Sequence, residues 1–240
     1  MAKAPLAEML IESVKMELPD TKTMHIKWPD GYDCEFKTGQ FITTFWADTP
    51  TYKRAYSLSS CALDRGFFEV TIKREGKMGT RVVDWAKAGD KIMILPPAGR
   101  FLPVYDPPGK HLICIAGGSG ITPFRGFARE ATRRQLDTRI TILYSVRTTG
   151  DIIFNEEFRQ LEAENPKLQF LVSCTRLGAE DPWPGRRGRI TPEYVKTLVT
   201  DAANTVFYAC GPAALVDAAE HLVMGDLGLP KQQCILEKWG

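Results

Sequence analysis

The spacing of hydrophobic and polar positions follows one grammar early in the chain and another later. The early part holds short extended runs, Glu8 to Glu17, Met24 to Trp28, Phe41 to Trp46, Phe67 to Arg74 and Lys91 to Leu95, separated by the turn signals PDG, TGQ, AGD and PPAGR. Glycine punctuates strands because it reaches backbone angles closed to other residues, and proline because it cannot donate to a strand ladder. Only one helix fits, near Arg81 to Lys87. Many short strands with a single helix predict a closed antiparallel β-barrel.

Past the Pro-rich segment Pro103 to Pro108 the grammar becomes an alternation. His111 to Ala116, Arg139 to Ser145, Leu168 to Cys174 and Thr205 to Cys210 read as strands, each followed by a helix: Phe124 to Leu136, Asn155 to Glu164, Pro192 to Val199 and Ala213 to Met224. Strands joined by helices form a parallel sheet covered on both faces. The expected organisation is two domains, a β-barrel over residues 1–107 and an α/β parallel-sheet domain over 108–240, with the Pro-rich segment as linker.

Composition narrows the chemistry by exclusion. A chain of 240 residues that is 44% hydrophobic and 25% charged is ordinary for a globular protein, and a formal charge of +2 gives no global pull towards nucleic acid or membrane. Partners must be read from sites. The start MAKAPLAEML lacks the apolar core of a secretory signal, and no segment offers the roughly 18 uninterrupted apolar residues of a membrane span. A cytoplasmic protein without a membrane span is expected. The six cysteines include no C-x-x-C pair and the three histidines are isolated, so no metal site is expected. A Gly-x-Ser-x-Gly nucleophile elbow is also missing.

Three stretches carry candidate chemistry. HLICIAGGSGITPFRGF runs an apolar strand into Gly117, Gly118 and Gly120, with Thr122 as N-cap and Pro123 opening a helix. Glycines admit a phosphate close to the backbone and helix N–H groups attract it, although Pro123 stands where the third glycine of G-x-G-x-x-G belongs. A plain tight turn fits equally well. FYACGPAALVDAA repeats the device with Cys210, Gly211 and Pro212, and two such turns at the carboxyl ends of parallel strands could share one crevice. Cys210 alone reads as a small buried residue. RAYSLSS places Arg54 and Tyr56 on one side of a strand, a pairing suited to a phosphate beside a flat ring. It suits a surface arginine and a half-buried tyrosine as well.

Taken in order, RAYSLSS, EGKMGTRVVDWAKAGDKIMILPPAGRF, IAGGSGITPF, YSVRTTGDIIFNEEF, FYACGPAALVDAA and EKWG resemble the ferredoxin-NADP reductase superfamily, with the likeness strongest to the NAD(P)H-oxidising, FAD-dependent reductase components of bacterial oxygenases. The resemblance covers nearly the whole chain. It implies that Arg54 holds a flavin phosphate, that Tyr56 lies along the isoalloxazine and that Ser57 hydrogen-bonds near its reactive nitrogen. It implies that Gly76, Gly79 and Thr80 receive the FAD pyrophosphate. Gly118, Gly120 and Thr122 would face the nicotinamide nucleotide, Cys210 and Gly211 would flank the nicotinamide, and Trp239 would cover the other flavin face. Ser57, Cys210 and Trp239 are thus the residues implied next to the reacting rings. Trp239 also reads as an exposed end residue.

Cofactor choice and acceptor follow from what surrounds these blocks. An NAD site ends its second strand in an acid, whereas a 2'-phosphate wants arginine. Here Arg147 follows the second strand with no acid before Asp151, Arg176 follows the third, and PGRRGR adds Arg186, Arg187 and Arg189. The pattern points towards NADPH, with NADH still open and with Arg186 and Arg187 equally readable as a solvated loop. Many oxygenase reductases carry a fused plant-type ferredoxin domain, but these residues hold no cluster cysteines. Electrons are therefore expected to pass to a separate iron-sulfur protein or oxygenase component, to a free flavin, or to a ferredoxin domain outside this sequence. A flavin reductase that releases reduced flavin and a relay subunit of a larger complex are the rival readings.

Overall fold

The computed structural model describes residues 7–29 and 35–239, so Asp30 and Gly31 of the PDG turn, and Cys34, lie outside the described residues. The chain divides into two compact units: one runs to Leu102 and takes in Arg125–Glu130, and the other comprises Pro103–Phe124 and the chain from Ala131 onward.

In the first unit six strands, β1 (Ala7–Leu18), β2 (Thr21–Lys27), β3 (Phe41–Phe45), β4 (Arg54–Ser57), β5 (Phe67–Lys73) and β6 (Lys91–Ala98), pair antiparallel in the order β4-β3-β6-β1-β2-β5. The two ends of that order meet. Leu58, just past β4, bridges Val70 of β5, and the Ser59 N–H donates to the Glu69 carbonyl at 2.8 Å, closing the sheet into the expected barrel. Successive side chains leave a strand on opposite faces, so Met24 and Ile26, Phe68, Val70 and Ile72, and Ile92 and Ile94 all enter the core. Each such burial contributes on the order of 2 kcal/mol. Strand β6 runs past the expected end at Leu95, because Pro96 and Pro97 fall where its register with β3 shifts and their missing N–H groups cost no ladder bond.

The single helix of this unit, α1 (Gly76–Trp85), begins five residues before the expected Arg81 and ends before Lys87. Gly76 opens the helix and Gly79 lies within its first turn. At Gly79 a Cβ would lie 2.2 Å from the Lys73 carbonyl oxygen, so only glycine lets α1 pack this close to the end of β5.

The second unit holds a parallel sheet of six strands, β7 (His111–Gly117), β8 (Arg139–Val146), β9 (Leu168–Cys174), β10 (Arg186–Arg187), β11 (Thr205–Pro212) and β12 (Cys234–Trp239), in the order β10-β9-β8-β7-β11-β12. Helices α2 (Thr122–Arg133), α3 (Asn155–Glu164), α4 (Pro192–Leu198) and α5 (Ala213–His221) follow β7, β8, β10 and β11. Every residue of β7 is buried, as a central parallel strand covered on both faces requires. Strand order reverses between β7 and β11, the switch point where such sheets open a crevice.

Three differences from the sequence reading have local causes. Helix α2 starts at Thr122 because a 3-10 turn, Gly118–Ile121, feeds straight into it. Thr122 is therefore already helical and is not an N-cap: its hydroxyl donates to the Ser119 carbonyl at 2.6 Å. Helical backbone continues beyond α5 as a π-turn to Asp226. The strands β10 and β12 were not anticipated, β10 because two residues carry no periodicity and β12 because CILEKW lacks clear alternation. Among the described residues no helix is long and apolar enough to cross a membrane.

Candidate functional site

In the first unit, β4 sets three of the candidate residues beside β3, with Thr44 opposite Arg54, Ile42 opposite Tyr56 and Phe41 opposite Ser57. Arg54 is exposed and its Nη1 donates to the Lys53 carbonyl at 2.8 Å. Tyr56 packs against the barrel core. Burial pushes its phenol up to about 12 against the opposing pull of Arg54, so it stays a neutral hydroxyl at physiological pH. Ser57 is half-buried.

The start of α1 is open. Glu75 precedes it without giving a side-chain cap, and the first turn contains no acid, so the positive end of the helix dipole is not neutralised from within its first turn. Gly76 takes φ +60°, and a Cβ there would meet nothing within 4 Å. Thr80 is exposed one turn on. Arg81, by contrast, is committed: it grips Asp48 through two bonds of 2.7 and 2.9 Å and lies 4.5 Å over the Trp46 ring.

The short segment after β4 is tied down by charges that the sequence did not reveal. Glu69 accepts from Arg125 at 2.7 Å and from Arg129 at 3.0 Å, its N–H donates to Ser60 Oγ at 3.0 Å, and Arg125 reaches the Ser59 carbonyl at 3.4 Å. Burial pushes the Glu69 carboxyl up, but the two guanidinium groups outweigh it and hold the group below the usual range. An acid on a strand and arginines far along the chain leave no local signal of such a cluster.

In the second unit the two glycine turns interlock. A Cβ at Gly120 would sit 2.0 Å from the Cys210 carbonyl oxygen and 2.8 Å from the Gly211 nitrogen. Gly120 is thus required by contact between the turns themselves. Gly211 takes φ +152° with Gly117 backbone 3.2 Å from where its Cβ would be. Gly118 takes φ +54°, and the ring of Trp239 lies 3.9 Å from the place of its Cβ. Trp239 stands at the end of β12, in register with Pro212 of β11. It is half-buried within a strand and not a frayed end. Cys210 is fully buried, and burial pushes its thiol well up, which favours the neutral thiol over the nucleophilic thiolate. Gly118, Gly120, Cys210, Gly211 and Trp239 therefore share one place at the carboxyl ends of the strands.

Beside them lies a cavity of about 530 Å³ lined by Ser145, Thr175, Arg176, Arg189, Ile190 and Leu215 among others. It combines Arg176 and Arg189, two hydroxyls, His221 and Asp226 with an apolar wall, so the arginine side suits the phosphates of a nucleotide and the apolar wall its base. Arg176 is exposed at its edge, whereas Arg147 is exposed but does not line it. Arg189 lines it, and its place beside the GRRG turn was the signal available in sequence. Arg186 and Arg187 serve the loop instead: Arg186 lies 4.2 Å over the Tyr194 ring and Arg187 donates to the Gly178 carbonyl at 3.0 Å. Asp151 is occupied as well, closing a capping box with Thr148 through bonds of 2.9 Å.

Comparison with known proteins agrees with this division. Residues 9–102 match the oxidoreductase FAD-binding domain and residues 114–221 the oxidoreductase NAD-binding domain. Among curated relatives, the glycine betaine monooxygenase reductase subunit of Pseudomonas aeruginosa is 29% identical over 79% of this chain and 52% of its own length, so the chain spans about half of that relative. Ferredoxin–NADP reductase B of Sorangium cellulosum is 27% identical over the full length of both chains, 100% of each. Among solved structures, a ferredoxin NADP+ reductase from Neisseria gonorrhoeae with bound FAD and NADP is 26% identical, with a TM-score of 0.82 over 98% of this chain and 99% of that one. An antiparallel FAD-binding barrel followed by a parallel-sheet NAD-binding domain, with both domain families matched in that order, makes this chain a member of the ferredoxin-NADP reductase superfamily of NAD(P)H-dependent flavin oxidoreductases.

Proposed function

We propose that this protein oxidises NADPH at an FAD held by the first unit and passes electrons to a separate iron-sulfur protein or oxygenase component. The observation that carries the reading is the meeting of Gly118, Gly120, Cys210, Gly211 and Trp239 at one end of the parallel sheet, beside the cavity that holds Arg176 and Arg189. We assign residues 1–107 to FAD and 108–240 to the nicotinamide nucleotide.

The residues present fit FAD. The open start of α1 at Gly76, with Gly79 allowing its close approach to β5 and Thr80 exposed one turn on, suits the pyrophosphate, and exposed Arg54 adds a charge-assisted contact to a phosphate. Tyr56 offers a neutral ring and Ser57 a hydroxyl for the isoalloxazine. The chemistry a bound FAD supplies is acceptance of two electrons from a reduced nicotinamide and their release one at a time. In the second unit Gly118 and Thr122 line the path of the dinucleotide, and Cys210, neutral and small, flanks the nicotinamide without competing as a base. Trp239 shields that place until nicotinamide displaces it. Arg176, with Arg189, reads the 2'-phosphate; Arg147, the other arginine expected to read it, lies exposed after β8 and outside the cavity, and NADH is the poorer donor.

The partner reading is supported by a similar protein that is by name the reductase subunit of a monooxygenase. The test is NADPH oxidation with either a plant-type [2Fe–2S] ferredoxin or free FMN as acceptor. Faster turnover with the iron-sulfur protein, with FAD retained on the enzyme, supports the reading. Turnover only with free flavin identifies a flavin reductase and overturns it.

A further inference from the structure

Tyr144 of β8 and Tyr208 of β11 are among the largest fully buried side chains of the parallel-sheet unit. A buried tyrosine hydroxyl needs a partner, and the two use theirs differently. Tyr208 accepts from the Val104 N–H at 2.9 Å, on the segment that leads into the sheet. Tyr144 donates to the Gly118 carbonyl at 2.9 Å, in the turn after β7, and reaches the Asp151 carbonyl at 3.5 Å. A hydroxyl has one proton to give, so the shorter bond takes most of it. Packing holds the Tyr144 ring in place: it lies 6.1 Å from Phe170, which stacks on Phe158 of α3 at 4.6 Å.

The bond falls where the turn has most freedom. Gly118 takes φ +54°, and without a side chain it has nothing of its own to fix the peptide that follows. A trans peptide sends its C=O and its N–H in opposite directions. With the Gly118 carbonyl drawn towards a fully buried hydroxyl, the N–H of the same peptide, carried by Ser119, points away from the interior, and Gly118 and Ser119 are themselves only half-buried. We propose that Tyr144 is a positioning residue for the nicotinamide nucleotide: by pinning the Gly118 carbonyl it aims the Ser119 N–H at the pyrophosphate, the part that NADPH and NADH share. The inference rests on the nucleotide reading of the second unit.

The test uses the flavin-loaded full chain, with ferricyanide as acceptor and each nicotinamide as donor. Tyr144→Phe keeps the ring and removes the hydroxyl. It should raise the KM for NADPH and for NADH by the same factor, about two- to tenfold, the net worth of one hydrogen bond. It should leave kcat unchanged, because a pyrophosphate contact is made equally before and during the reaction. Tyr208→Phe loses a buried hydroxyl of the same sheet and should lower the melting temperature without moving either KM, which separates positioning from stability. In the wild-type chain the Ser119 amide resonance should shift on titration with NADP+ and with NAD+, a readout that needs no variant to fold. Unaltered KM values in Tyr144→Phe, a rise for NADPH alone, an equal rise in Tyr208→Phe, or a Ser119 amide that neither nucleotide moves would each overturn the inference while the nucleotide domain stands. A wild-type chain that binds neither nucleotide would remove the nucleotide reading, and this inference with it.

Discussion

Replacing Gly120 by alanine sets the two glycine turns of the nucleotide domain against each other. The new methyl carbon would lie 2.0 Å from the Cys210 carbonyl oxygen, where ordinary contact begins at 3.4 Å. Neither neighbour is a flexible side chain, so one turn must move by more than an ångström. Forced repacking of this kind costs about 1–3 kcal/mol, and at about 2–4 °C per kcal/mol for a chain of this size the nucleotide domain should melt roughly 2–12 °C lower. Displacing a binding turn by about 1 Å costs on the order of a hundredfold in rate. Gly120→Ala should therefore keep its FAD, held in the other unit, while reduction of that FAD by NADPH in a stopped-flow cell slows by about that factor. Gly118→Ala is the contrast: its Cβ meets only the Trp239 ring at 3.9 Å, so the cost is the roughly 1–2 kcal/mol of a left-handed backbone. A Gly120→Ala protein that melts like wild type and is reduced at the wild-type rate would refute the interlocked-turn account.

Three further outcomes are expected. On the proposed stacking of Trp239 over the flavin, Trp239→Ala should tighten apparent NADPH binding and raise flavin fluorescence, since such a stack is worth on the order of 1 kcal/mol; unchanged values in both would confine Trp239 to its strand. Arg176→Ala combined with Arg189→Ala should raise the KM for NADPH at least tenfold more than that for NADH, whereas equal effects would show that the cavity does not read the 2' position. His111, buried beside Arg139, has its pKa pushed down by burial and then by that charge to about 4. The unfolded chain binds a proton near pH 6.5 that the native state refuses until about pH 4, so this contribution is whole above about pH 6.5 and lost as pH falls towards 4. After allowance for solvent screening it amounts to no more than about 2 kcal/mol; His111→Asn should flatten that part of the stability profile, and an unchanged slope would contradict the assignment.

Much of this was legible in sequence because local signals and tertiary structure agree. Helix α3 and strand β9 fall at the expected residues, their periodicity being undisturbed by special backbone. Legibility failed where a residue's reason lies across the fold. The helix was expected only near Arg81, yet Gly76 opens α1 and Gly79 admits the Lys73 carbonyl. Thr122 read as a cap until the preceding 3-10 turn made it helical. For the PGRRGR arginines the partner lies across the fold: Arg186 stacks on Tyr194, whereas Arg189 lines the cavity. The Glu69 cluster depends on arginines more than fifty residues away.

The most direct test is an anaerobic titration of the protein as purified. The account predicts a yellow protein carrying one FAD per chain, whose visible flavin band is bleached by about one equivalent of NADPH and far more slowly by NADH at the same concentration. A colourless protein that takes up no FAD, or a yellow one whose flavin neither nicotinamide reduces, would contradict it.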